Sequence, residues 1–231
     1  MNLSQANRLA EMALDMTEQP DLAHTLDRIL LNARSSIPCD AAGVVLISEN
    51  GQVKTAVASP EALYRADELQ DSFREGPWPV AGSPCDYGPG GHAQLVSDTG
   101  RDDRFPLWTA RLAELGFGAV LSIHLFSPLR TLGALNLCAY APLGFDESDL
   151  ELAEIFGRHA SVALMSAQFR HSLRAAVDSR HVIGQAQGIL MERYQVDADR
   201  AFEVLRRYSQ HKNIKLRVIA EQVITEHRLP D

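Results

Sequence analysis

Gly184 and Gly188 lie four residues apart, among Gln185, Gln187 and Met191, in a stretch otherwise made of helix formers. On a helix they share a face and leave bare backbone there, which suits the close approach of an unpaired base or of another helix. Glycine in mid-helix costs roughly 1 kcal/mol against alanine, so something must offset it. The two candidates are an external partner at this face and tight packing inside a helical bundle. Gln185 and Gln187 each carry a donor and an acceptor, the combination that reads unpaired base edges; either could equally be solvated surface. Further on, Arg206, Arg207, Lys212, Lys215 and Arg217 cluster in sequence. They could supply phosphate contacts or form a plain basic face.

A second set of side chains lies upstream. Trp78, Cys85, His92, Trp108, Phe117 and His124 are the candidates for lining a small-molecule pocket. Cys85 with His92 could support thiolate chemistry, a metal or a covalently attached chromophore. No third ligand accompanies them, so no metal site is expected and the sequence names no cofactor. His124 stands among apolar residues and reads also as a satisfied core histidine, as Trp78 and Trp108 read also as lid and core. The GPGG run at 88–91 lacks the Lys-Ser/Thr and helix of a phosphate loop. There is no nucleophile elbow, HExxH or dinucleotide fingerprint either, and the chain is not expected to be an enzyme.

These groups need elements to hold them. Helical spacing runs through Leu3, Leu9, Met12 and Met16, and again through Leu22, Leu26, Ile29, Leu30 and Ala33. Residues 42–47 and 53–58 read as a hairpin across Asn50-Gly51. The stretch from Glu75 to Gly91 is so rich in proline and glycine that it must be a long loop. A strand at 94–97, a helix over 103–115 and strands at 118–126 and 132–140 follow. The pocket would then lie between the sheet, this loop and the Trp108 helix.

From Asp146 to about Tyr194 no proline occurs, which predicts one helix of about 70 Å. The seven-residue series Ile155, Val162, Phe169, Ala176 and Ile183 predicts a coiled-coil homodimer; the alternative is a helix packed back on its own sheet. Asp197 and Asp199 suit a cap before Ala201, Phe202, Leu205 and Tyr208, and Asn213 can cap a last helix whose apolar face runs from Leu216 to Ile224.

The chain has 231 residues and a net charge of −8, enough for two domains and unlike an indiscriminate nucleic-acid binder. The charge is divided unevenly. Residues 171–231 hold ten Lys or Arg against eight Asp or Glu, a balance of +2, whereas residues 1–170 hold twelve against twenty-two, or −10. An acidic sensor joined to a module that meets phosphates fits this split. Apolar runs are too short to span a bilayer and the N-terminus lacks a secretion signal, so a cytoplasmic location without membrane contact is expected. Three cysteines without CxxC spacing argue against a disulfide framework or zinc ribbon.

The stretch IGQAQGILMERYQVDADRAFEVLRRYSQHKNIKLRVIAEQVI, from Ile183 to Ile224 with the preceding Ser179-Arg180, closely resembles the ANTAR family of RNA-binding antitermination domains. The resemblance implies an all-α three-helix bundle that works as a dimer on paired RNA stem-loops. The candidate RNA contacts within this module are Arg180, Gly184, Gln185, Gln187, Gly188, Met191, Arg206, Ser209, Lys212, Lys215 and Arg217. Two positions depart from the pattern, since the family commonly has lysine at Gln187 and alanine at Ser209.

Residues 21–165 resemble a GAF domain, through Val96-Ser97-Asp98, Asp103-Arg104-Phe105-Pro106, Gly118 and the strand LGALNLCAY before Phe145. This implies an α+β fold, an antiparallel sheet with flanking helices, that accepts a small-molecule effector of unknown identity. The expected layout is an N-terminal helix at 1–20, a GAF sensor at 21–165, and a coiled-coil connector with the ANTAR domain at 166–231. The alternative is a helix-turn-helix-like DNA-binding regulator with a ligand-binding GAF domain.

Overall fold

The computed structural model describes residues 3–48, 52–60, 63–64, 75–77 and 92–229. The chain divides into two units, Met1–Gln168 and Phe169–Asp231. The first opens with helices α1 (Leu3–Thr17) and α2 (Leu22–Ser36), then strands β1 (Ala41–Ile47), β2 (Val53–Ser59) and β3 (Ala93–Val96). Helix α3 (Pro106–Glu114), strands β4 (Ala119–Phe126) and β5 (Thr131–Ala139) and the start of helix α4 (Glu147–Tyr194) follow. The strands form one antiparallel sheet in the order β2-β1-β5-β4-β3. The expected turn at Asn50-Gly51 lies outside the described residues, but β1 and β2 do pair, with Val45 opposite Thr55.

Strand alternation gives the sheet two different faces. On one, Val44, Leu121, Ile123, Leu125, Leu135 and Leu137 share a core with Leu26, Ile29 and Ala33 of α2 and with Ala153, Phe156, Ala160 and Leu164 of α4. On the other, Ala41, Val96, Val120 and Cys138 meet Trp108 and Leu112 of α3, and Phe117. The start of α4 is fixed by a reciprocal pair of bonds. Asp146 Oδ1 accepts from the Asp149 N–H and Asp149 Oδ2 from the Asp146 N–H, both at 3.0 Å, which satisfies N–H groups that an α-helix leaves open at its N-terminus.

The second unit is all helix: the end of α4, then α5 (Ala198–Lys212) and α6 (Leu216–Glu226). Its core is Ala186, Leu190, Ala201, Leu205, Ile219, Ala220 and Val223. Asp197 caps α5 by accepting from the Arg200 N–H at 2.8 Å. Asn213 does not cap the last helix as expected. It ends α5 instead, in the left-handed region at φ 53°, a conformation asparagine tolerates better than most residues, and Lys215 begins α6.

Candidate functional site

In the helical unit, Arg180, Gly184, Gly188 and Met191 recur at steps of three and four along α4 and all are exposed. A Cβ built at Gly184 or Gly188 meets nothing within 4 Å. Close packing inside the bundle therefore does not account for either glycine. The structure gives several neighbouring polar groups internal duties. Gln187, half-buried, donates its Nε2 to the Ala198 carbonyl at 3.1 Å, tying α4 to the start of α5. Ser209 donates its hydroxyl to the Ile214 carbonyl at 2.6 Å, which closes the turn between α5 and α6. Gln185 lies 3.1 Å from the His181 ring one turn back.

The cations divide in the same way. Arg217 is paired with Glu221 at 2.9 Å and Arg200 with Glu203 at 3.0 Å, while Arg193 donates to the His227 carbonyl. Lys212 is exposed at the end of α5. Arg180, Arg206, Arg207 and Lys215 are also exposed and have no ion pair among the described residues. A cation held in no internal ion pair gives up no such pair when it meets a phosphate.

In the sheet unit, one row crosses neighbouring strands on the α3 side: Gln94, Ser122, Asn136 and Gly43. The Ser122 hydroxyl donates to Asn136 Oδ1 at 2.7 Å, and both side chains are buried. These two were not among the candidates, although Ser122 and His124 at i, i+2 in an apolar strand signal a shared polar face. Beside them His124 is buried and its Nε2 donates to the Pro77 carbonyl at 2.8 Å. The His92 ring stacks on Phe126, centroids 3.9 Å apart.

Trp108 and Phe117 are buried in the same layer, Phe117 against Tyr140. The N-terminus of α3 has no side-chain cap from Phe105; Glu75, over thirty residues upstream, supplies it by accepting from the N–H groups of Leu107 at 2.8 Å and Trp108 at 3.4 Å. Trp78 and Cys85 lie outside the described residues, as does most of the Glu75–Gly91 loop. Among the described residues no cluster of His, Cys, Asp and Glu could hold a metal ion.

Burial holds the His124 pKa down at about 4, partly offset by its bond to Pro77. The unfolded chain therefore binds this proton more readily than the folded one. Its contribution is fully present above about pH 6.5 and is lost as pH falls toward 4. Urea midpoints should drop between pH 7 and pH 5, and His124→Gln, which keeps a donor for Pro77, should flatten that drop. An unchanged pH profile in the variant would mean that other groups set it.

Comparison with known proteins identifies both units. The GAF domain family matches residues 19–165 and the ANTAR domain family residues 171–224. No curated protein matches the chain. A domain of a putative two-component sensor histidine kinase protein from Sinorhizobium meliloti 1021 is 14% identical over 68% of this chain and 99% of its own, with a TM-score of 0.52. The cyanobacteriochrome TePixJ GAF domain is 18% identical over 67% of this chain and 95% of its own, with a TM-score of 0.53. The Stigmatella aurantiaca phytochrome photosensory core module is 12% identical over 86% of this chain but only 43% of its own, with a TM-score of 0.55. Identities this low speak for the fold alone. Sensor and regulatory domains, not catalytic ones, make up both matched families, and no described helix is long and apolar enough to cross a membrane. The chain belongs to the GAF family and, with an ANTAR domain behind its GAF domain, has the GAF-ANTAR architecture of sensor-controlled regulators.

Proposed function

We propose that this protein is a cytoplasmic, signal-responsive antiterminator whose ANTAR domain, as a homodimer, binds paired RNA stem-loops under control of an effector in the GAF domain. The observation that carries this reading is the open glycine face of α4 in a domain whose Arg180, Arg206, Arg207 and Lys215 are exposed and make no ion pair among the described residues. Bare backbone admits a base, and free cations meet phosphates. The effector must prefer one of two states of the protein, since equal affinity for both shifts nothing.

The DNA-binding alternative asks α6 to enter the major groove with exposed Arg, Asn or Gln. Its exposed residues are instead Arg217 and Glu221, bound to each other, with Val218, Thr225 and Glu226. In moderate salt the full chain should shift an RNA of two neighbouring hairpins at least tenfold more tightly than the matching DNA duplex, and Arg206→Ala should weaken the RNA complex a few-fold. Equal affinity for RNA and DNA would sink the antiterminator reading.

A further inference from the structure

Phe202 stands in the apolar series Ala201, Phe202, Leu205 and Tyr208 that follows the cap of α5, yet it is 38% exposed while Ala201 and Leu205 are fully buried. Its surroundings are specific. Within the helix, the Phe202 N–H bonds the Ala198 carbonyl, and this same carbonyl accepts from Gln187 Nε2 at 3.1 Å. The Phe202 N–H and the Gln187 side-chain amide therefore share one acceptor, which places the first turn of α5 beside Gln187 of α4. Met191, exposed as well, lies one turn along α4 from Gln187. Arg206, four residues after Phe202 and so on its side of the helix, is exposed with no ion pair among the described residues.

An aromatic residue more than a third exposed, with a guanidinium one turn away that has no ion pair among the described residues, joins two elements of single-stranded nucleic acid recognition, a stacking platform and a phosphate contact. We propose that Phe202 is the stacking residue of the RNA interface, taking an unpaired loop base on its ring while Arg206 holds the neighbouring phosphate. This rests on the RNA reading above and adds to it a residue and a contact type. The +2 balance of residues 171–231 favours a polyanion over a second copy of this cationic unit as the occupant of the patch.

The test uses the full chain and a two-hairpin RNA in which each loop position in turn carries 2-aminopurine. Wild-type protein should quench the probe at one loop position, and Phe202→Tyr should do the same with affinity within about threefold. Phe202→Leu, still apolar and checked by circular dichroism for its fold, should lose that quenching and at least tenfold in affinity. As a control, Val218→Ala removes another exposed apolar side chain and should change neither. Unaltered quenching and affinity in Phe202→Leu would overturn the proposal. So would a Phe202→Leu chain that sediments as a monomer where the wild type is a dimer, which would give the patch to a second copy. If the wild type binds no hairpin RNA at all, the antiterminator reading itself fails, an outcome distinct from RNA binding that ignores Phe202.

Discussion

A chain carrying Phe169→Glu and Leu173→Glu is expected to sediment as a monomer and to bind a two-hairpin RNA about 100-fold more weakly, with its helix content unchanged. Phe169, Leu173 and Val177 succeed one another at steps of four along α4 and are 69%, 56% and 59% exposed. Residues 171–178 are all exposed, so among the described residues nothing buries this part of the helix. Fully burying one such side chain gains roughly 1.5–3 kcal/mol. Three of them on one helix face make a seam that a second copy can close by two-fold symmetry, each residue meeting its own counterpart.

Glutamates on that seam would oppose each other and lose the apolar gain together. They would cost the monomer little, because both positions are more than half exposed among the described residues. Joining two RNA-binding modules multiplies affinity by roughly 10²–10⁴ when both can engage, which sets the size of the expected loss. A variant that stays dimeric would move the interface elsewhere. A monomeric variant with undiminished RNA affinity would show that one domain suffices.

Features with a local cause were legible in the sequence. The proline-free run from Asp146 became α4, Asp197 capped α5, and alternating apolar residues placed the strands within a residue or two. What escaped was decided by residues far apart. The cap on α3 comes from Glu75, and no local pattern connects it to Leu107. The buried Ser122–Asn136 bond depends on the register between β4 and β5. The internal bonds of Gln187 Nε2 to the Ala198 carbonyl and of the Ser209 hydroxyl to the Ile214 carbonyl likewise join groups eleven and five residues apart. The exposure of Phe202 follows from the narrowness of a three-helix core. Ala201 and Leu205 fill the space beneath α5, and the next position round the helix, about 100° away, reaches the surface.

Two glycine-to-alanine changes should act in opposite directions, and the first is expected to have the larger effect on folding. Gly133 of β5 pairs with Leu46 of β1 on one side and Leu125 of β4 on the other. A Cβ there would sit 1.9 Å from the Val45 carbonyl oxygen, and backbone cannot rotate aside as a side chain can. Either β1 separates from β5 or the central strand shifts. Overpacking costs about 1–3 kcal/mol and occasionally more, against a total stability of roughly 5–15 kcal/mol. Both tryptophans, Trp78 and Trp108, belong to the Met1–Gln168 unit, so their fluorescence follows that unit alone. Gly133→Ala should lower the urea midpoint seen by fluorescence or abolish the transition; a wild-type midpoint would refute the steric argument. Gly184→Ala meets open space and should stabilise α4 by about 1 kcal/mol, leaving the fluorescence midpoint where it was. If that methyl also weakens RNA binding, the glycine is kept for the partner it admits. If RNA binding is untouched, the open face of α4 is not where the RNA lies.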